Sequence, residues 1–185
     1  MRGLARLASE GITVSMKKAL SAIFCLTVAV FSAPVARAQD TNLIDVFDDW
    51  SAFALKQGGK PVCYIGSVPT KSAGKYSKRG DVLFLVTHRP AAKANGVVNF
   101  QTGYAFKAGI DAQLIIGKTT YKLFTEGEDA WAFDSKSDKA IINALIRGAQ
   151  MVIKGTSSRG TETTDTFSLK GFTAAYKAAS KACKL

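Results

Sequence analysis

Short runs rich in β-branched and aromatic residues recur along this chain from Trp50 onward, and Gly, Asn, Asp and Lys separate them. Runs of this kind are typical of antiparallel sheets. The sequence shows no regular alternation of strand and helix patterns, so a β-sandwich is favoured over an α/β layout. The pattern predicts about nine strands, at residues 50–55, 62–67, 82–88, 97–103, 113–116, 119–124, 130–133, 151–155 and 162–169.

Two pairs of these strands are separated by short turns. Gly117-Lys118 joins 113–116 to 119–124, and glycine at the first central position suits a type II′ hairpin turn. A second hairpin is predicted between the last two strands, turning through residues 157–160. Both turns predict antiparallel neighbours.

Two segments follow a helical period instead. Residues 138–147 form an amphipathic pattern that begins at a Ser137 or Asp138 cap and stops before Gly148. A second helix is predicted after Ser168, and it would carry the last cysteine inward on an apolar stripe formed by Phe172, Ala175, Tyr176, Ala179 and Cys183.

The N-terminal region has the order of a secretory signal. Met16-Lys17-Lys18 is followed by an apolar stretch and then by Ala36-Arg37-Ala38, which predicts cleavage between Ala38 and Gln39. Only fifteen residues separate Lys18 from Pro34. A transmembrane helix needs about 20 apolar residues, so an anchor is not expected.

The expected start of translation is Met16, because residues 1–15 lack signal character. We therefore set 1–38 aside as an N-terminal extension plus signal, and 39–185 is the size of one domain. Five of the 25 Lys and Arg residues and one of the 14 Asp and Glu residues fall within 1–38, which leaves a formal charge of +7. The predicted location is the periplasm or the exterior.

Two cysteines remain after the signal, which takes Cys25 with it. In an oxidising compartment an isolated pair most simply forms one disulfide, here Cys63 with Cys183. The bond would close a loop of 120 residues and stabilise the fold by about 4–5 kcal/mol in the chain-entropy description. A redox-active pair is the alternative, but the sequence lacks Cys-x-x-Cys spacing.

A set of blocks spread over the mature chain is similar to one family of exported alphaproteobacterial proteins. The blocks are Asp49-Trp50, Lys78-Arg79-Gly80, residues 86–90, Gly103-Tyr104, Ala130-Trp131-Ala132, residues 155–161 and residues 165–172, followed by Cys183. They resemble the invasion-associated locus B (IalB) family. One departure is the segment Ala52-Phe53-Ala54, where many relatives have a cysteine.

The resemblance implies an all-β fold, an immunoglobulin-like antiparallel β-sandwich with one or two short peripheral helices. It also implies a non-enzymatic envelope protein with a binding role, related to host interaction or invasion. No catalytic residue, cofactor or metal follows from it. The alternative function is an envelope hydrolase that uses carboxylates.

Candidate catalytic and metal-binding groups are sparse. His88 is the only histidine, so a Ser or Cys triad would depend on it, and a strand-end role is favoured. One histidine and two bonded cysteines do not make a zinc site. Glu126, Glu128 and Asp129 surround Gly127, where a calcium ion is the alternative to a solvated turn.

A basic cluster supplies the candidate binding residues Lys71, Lys75, Lys78 and Arg79, in a predicted surface loop with Tyr76. For an exported protein we expect an anionic lipid or lipopolysaccharide surface, or an envelope or host protein, as the partner rather than nucleic acid. Arg79-Gly80-Asp81 also spells the integrin-binding tripeptide. The alternative is that Gly80 and Asp81 serve turn geometry before the next strand.

Overall fold

The computed structural model describes residues 41–185, so the predicted signal and the cleavage site between Ala38 and Gln39 lie outside the described residues. Within them, side chains alternate between buried and more exposed along the strands, as a sheet with one face on a core requires. The strands are β1 (Asn42–Phe47), β2 (Trp50–Gln57), β3 (Lys60–Ser67), β4 (Lys71–Gly74), β5 (Leu83–Arg89), β6 (Ala94–Gln101), β7 (Ala112–Ile116), β8 (Thr119–Glu126), β9 (Asp129–Trp131), β10 (Gln150–Thr156) and β11 (Glu162–Ser168).

All strand pairs are antiparallel, in the order β1-β2-β3-β5-β6-β9-β8-β7-β10-β11-β4. β8 pairs with β7 through residues 119–123 and with β9 through residues 124–126, so it belongs to both halves of the sheet. The halves face each other across the core, because Phe167 of β11 lies 6.1 Å from both Phe84 and Phe100, measured between ring centroids. The all-β prediction is confirmed.

The nine predicted strands are present, and two further strands were missed. β1 precedes the first predicted strand. Lys71–Gly74, predicted as part of a surface loop, is the edge strand β4 and pairs with residues 163–166 of β11. That prediction was wrong because β4 is held by a backbone ladder along one side, whereas its exposed sequence carries no apolar alternation.

Two helices lie against the sheet, α1 (Ser135–Arg147) and α2 (Phe172–Ala182). The cap of α1 is Asp134, whose carboxylate accepts a hydrogen bond from the Ser137 N–H at 2.7 Å, so the predicted cap at Ser137 or Asp138 was wrong. Asp138 is buried instead and accepts the Val98 N–H at 2.8 Å. Burial raises the pKa of Asp138. No helix within residues 41–185 is long and apolar enough to cross a bilayer.

The disulfide predicted between Cys63 of β3 and Cys183 at the end of α2 is confirmed. α2 packs on β2 and β3, and the Phe172 ring lies 4.9 Å from that of Trp50. The indole N–H of Trp50 donates to the Ser168 carbonyl at 3.0 Å. The C-terminal helix is thus docked by an aromatic contact at its start and a covalent bond at its end.

Candidate functional site

A buried ion pair joins the loop between β4 and β5 (residues 75–82) to the middle of β11. The Arg79 guanidinium donates to both Asp165 carboxylate oxygens, at 2.8 and 2.7 Å, and its Nε donates to the Thr102 carbonyl at 2.6 Å. Ser72 donates a further hydrogen bond to Asp165 at 2.7 Å. The Arg79 and Asp165 side chains are 5% and 0% exposed. Such a planar, two-point pair fixes the orientation of the arginine as well as its position.

Two tyrosines flank this guanidinium. Its central carbon lies 5.5 Å from the Tyr76 ring centroid and 5.0 Å from that of Tyr104, within the range of cation–π attraction. The Tyr104 hydroxyl shares a 2.7 Å hydrogen bond with the Thr163 hydroxyl. Burial raises the pKa of Tyr104, although the hydrogen bond to Thr163 and the charge of Arg79 oppose the change.

The charge state of Arg79 follows from the same contacts. Burial acts to lower the pKa of Arg79, but the hydrogen bond and the negative charge of Asp165 outweigh it, and the net shift is upward. Arg79 therefore stays protonated beside Tyr76 and Tyr104, and Asp165 balances its charge.

A close backbone contact fixes the position of the same loop. The Gly80 N–H donates to the Gly103 carbonyl at 2.9 Å. Gly103 has a φ of +69°, and a Cβ at this position would overlap the Gly80 backbone. Only glycine meets both conditions, which accounts for glycine at position 103.

These contacts correct two predictions about Arg79. Its guanidinium is buried against Asp165, so it is not part of an anionic-surface contact, and that assignment was wrong for this residue. The integrin-type interpretation of Arg79-Gly80-Asp81 fails on the same ground, because Asp81 is exposed while the guanidinium is not. Lys71, Lys75 and Lys78 are exposed, and their role stays a prediction.

The cavity above the ion pair, which we call the basic groove, has a volume of about 550 Å³. It is lined by residues 75–80, 103–105 and 157–159, together with Thr161 and Thr163. These residues include four cations and no carboxylate. Since Asp165 balances Arg79, three cationic side chains remain, and all three are exposed: Lys75, Lys78 and Arg159.

One wall of the basic groove was predictable from the sequence, and the other was not. Lys75 and Lys78 stood out as a local cluster, whereas Arg159 and Ser158 lie in the β10–β11 turn, about 80 residues further along the chain. That turn is held in place because the Ser158 N–H donates to the Ala105 carbonyl at 2.8 Å. Lys71 does not line the groove, because it begins the edge strand β4.

The only histidine in the sequence, His88, lies at a second candidate site, beneath α2. His88 is 2% exposed, and its Nδ1 accepts the Gly96 N–H at 3.1 Å. The ring proton is thereby assigned to Nε2, which faces the Ser180 hydroxyl at 3.2 Å. Ser180 in turn donates to the Tyr176 carbonyl at 2.8 Å. Burial lowers the pKa of His88, which favours the neutral ring.

Ser180 and His88 lie within hydrogen-bond distance of each other, but they do not form a nucleophile–base pair. A base must present a free lone pair to the hydroxyl proton. At His88 the lone pair is used by Gly96, and the nitrogen that faces Ser180 carries the proton. The contact therefore packs α2 against β5.

The acidic cluster forms the tight turn between β8 and β9. Glu126 and Glu128 are exposed, and Asp129 accepts a hydrogen bond from the Asn99 side-chain amide at 3.0 Å. Within residues 41–185, no three His, Cys, Asp or Glu side chains lie together in a way that could hold a metal ion.

Comparison with known proteins places these features in a family context. The family model described as "Invasion associated locus B (IalB) protein" matches residues 50–180. The crystal structure of invasion associated protein B from Bartonella henselae is similar, with a TM-score of 0.54 and 20% sequence identity, over 76% of this chain and 96% of that chain. At this identity the likeness shows a shared fold alone. Curated proteins give no significant match to the chain.

Proposed function

Because this chain belongs to the invasion-associated locus B family, we propose that it is an exported, non-enzymatic binding module of the bacterial envelope. Its binding site is the basic groove, and its partner presents negative charge: an anionic lipid or lipopolysaccharide surface, or an acidic envelope or host protein. A role in host interaction or invasion would follow from that binding.

Export to the periplasm or the exterior is supported by the disulfide. Structural disulfides persist in oxidising compartments and are rare in the reducing cytosol, and Cys63 and Cys183 are bonded. N-terminal sequencing of the protein from an envelope fraction should begin at Gln39. A mature protein that begins at Met1 or Met16 would contradict export through this signal.

The observation that carries the binding proposal is the charge of the basic groove. Lys75, Lys78 and Arg159 line one cavity in which no lining residue is acidic. A concave surface with one sign of charge concentrates ligands of the opposite sign. Ammonium and guanidinium groups also make their strongest hydrogen bonds to anionic oxygens.

The hydrolase alternative has no support in this groove. Carboxylate-based glycoside hydrolysis needs two Asp or Glu side chains on either side of the bond to be cut. The lining of the groove contains none, and Asp165 beneath it is held by Arg79 and Ser72.

Retention on vesicles that contain phosphatidylglycerol tests the proposal. We expect the mature protein to bind at low salt and to be released as salt rises, since salt screens exposed charges. The variant Lys75→Glu/Lys78→Glu should lose most of this retention. The control Lys118→Glu/Lys177→Glu makes the same change in net charge at exposed positions outside the groove lining. Equal loss in both variants would show non-specific attraction and defeat the proposed site.

A further inference from the structure

The number of cations in the basic groove limits the charge of its ligand. Three exposed cationic side chains line the cavity, with no acidic side chain among the lining residues to offset them. A carboxylate would bring one negative charge. A phosphate monoester carries roughly −1.5 to −2 at neutral pH and presents three acceptor oxygens. Several cations around one site match the phosphate better than the carboxylate, and Arg159 adds a planar fork that suits phosphate geometry.

The size and the neutral lining of the groove limit the rest of the ligand. A volume of about 550 Å³ lies within the range of small-molecule sites. The lining includes the hydroxyls of Ser77, Ser158 and Thr161, which can both donate and accept hydrogen bonds. Tyr76 is 39% exposed and adds an aromatic surface. Hydroxyls beside an aromatic ring fit a sugar ring.

Hydrogen bonds within the protein hold both walls of the groove. Arg79 is held by Asp165 from below, Gly80 is bonded to Gly103, and Ser158 is bonded to Ala105. The loop that carries Lys75 and Lys78 and the turn that carries Arg159 are therefore fixed at their bases. A preformed site spends little binding free energy on ordering.

From these features we infer that the basic groove binds a phosphorylated sugar, with the phosphate against Lys75, Lys78 and Arg159 and the sugar ring against Tyr76 and the neighbouring hydroxyls. This inference rests on the proposed function, because it names the chemical class of the anion at the same site. The source of the ligand is either a free sugar phosphate or the phosphorylated headgroup of a glycolipid.

Titration calorimetry with glucose 1-phosphate, inorganic phosphate and glucose tests the inference on the mature protein. We expect glucose 1-phosphate to bind at least about tenfold more tightly than inorganic phosphate, and glucose to bind weakest. Equal affinity for glucose 1-phosphate and inorganic phosphate would reduce the groove to a simple anion site and overturn the inference. Equal affinity for glucose 1-phosphate and glucose would overturn it as well.

Matched variants locate the site. Lys78→Gln/Arg159→Gln should weaken glucose 1-phosphate binding by at least about tenfold, while the control Lys118→Gln/Lys177→Gln should leave it unchanged. The thermal unfolding midpoint of each variant shows whether it is folded. If a folded groove variant binds as the control does, the groove is not the site.

Vesicles of equal charge but different composition distinguish a membrane headgroup from a free sugar phosphate as the source of the ligand. They also distinguish failure of the proposed function from failure of the phosphorylated-sugar inference. A preference for vesicles that carry a phosphorylated glycolipid over phosphatidylglycerol vesicles indicates a membrane headgroup, and binding of glucose 1-phosphate without that preference indicates a free solute. Groove-dependent retention on phosphatidylglycerol vesicles, combined with no selectivity for glucose 1-phosphate, would leave the proposed function standing and overturn the phosphorylated-sugar inference. Absence of groove-dependent retention on phosphatidylglycerol vesicles, together with no selectivity for glucose 1-phosphate, would overturn both the proposed function and the phosphorylated-sugar inference.

Discussion

Two long-range links hold peripheral segments on this sheet, one near each end of the strand order. Near the β1 end, the Cys63–Cys183 bond and the aromatic contact of Phe172 hold α2. Near the β4 end, the Arg79–Asp165 pair holds the β4–β5 loop. The first link is a covalent bond accompanied by an aromatic contact, and the second is an ion pair with further hydrogen bonds to Ser72 and the Thr102 carbonyl.

The two links differ in what a single change would leave behind. Removal of the disulfide leaves a helix that still packs through a buried apolar face, because Phe172, Ala175 and Ala179 are fully buried. Removal of one member of the ion pair leaves the other charge buried without its partner, which is costly in a low-dielectric site. A single substitution in the ionic link should therefore lower the free energy of unfolding more than a single substitution in the disulfide. The β4–β5 loop, which the ionic link holds, forms one wall of the basic groove.

The largest effect should come from Asp165→Asn. This substitution leaves the Arg79 charge buried and unbalanced, so we expect the free energy of unfolding to fall by about 3–5 kcal/mol. Urea denaturation followed by tryptophan fluorescence measures it. The double variant Arg79→Met/Asp165→Leu, which removes both charges, should be more stable than Asp165→Asn.

A matched control for this prediction is the exposed ion pair between Lys170 and Asp48, at 2.9 Å. Asp48→Asn should leave the free energy of unfolding nearly unchanged, because exposed ion pairs contribute little to stability. If Asp165→Asn costs no more than Asp48→Asn, burial does not make the Arg79 pair special and the contrast between the two links fails.

Loss of the disulfide should rank second. Cys63→Ser or Cys183→Ser should lower the free energy of unfolding by about 2–5 kcal/mol, the usual cost of removing a native disulfide from a small domain. The mature wild-type protein should show no alkylatable thiol without reductant and two after denaturing reduction. Two reactive thiols in the native protein would contradict a structural bond and revive the redox-active alternative.

The disulfide and the ion pair also differ in whether the sequence alone predicts them. The disulfide was predictable because only two cysteines follow the predicted signal, so counting identifies the pair. The strands were predictable from alternation, which is a local signal. β4 escaped because its pairing with β11 is non-local and its exposed residues carry no pattern.

The Arg79–Asp165 pair was not predictable by either route. The two residues are 86 positions apart, and the mature chain has many candidate cations and anions, so counting cannot choose a pair. The local cluster of Lys71, Lys75, Lys78 and Arg79 favoured a uniform basic surface, whereas the fold buries the Arg79 guanidinium. Charge clusters in a sequence indicate composition, and only tertiary contacts decide which members face solvent.

A smaller effect is expected from Gly103→Ala, which disturbs the backbone contact beside the ionic link. The new Cβ would combine a φ of +69° with overlap on Gly80, and we expect a loss of about 1–3 kcal/mol in urea denaturation. Gly109→Ala is the control, since it has a φ of +75° but no neighbouring atom within 4 Å. Identical losses would mean that the Gly80 contact contributes nothing.

The smallest and most selective effect is the pH dependence of the helix region. Burial lowers the pKa of His88 below its ordinary value near 6.5, so the unfolded chain binds a proton at this residue more readily than the folded protein. Stability from this group is therefore fully present above about pH 6.5 and is lost as the pH falls below that value, with a slope of at most about 1.4 kcal/mol per pH unit. Tyr176 beside it has a raised pKa and does not titrate in this window.

Urea denaturation between pH 7.5 and 5 measures this slope, and His88→Gln is the comparison because glutamine does not titrate. We expect wild-type stability to fall more steeply than that of His88→Gln as the pH drops through 6.5. Hydrogen exchange, corrected for the intrinsic effect of pH, should therefore increase first at amides of α2 and β5. If the stability of the wild type and of His88→Gln falls with the same slope, protonation of His88 does not control the docking of α2.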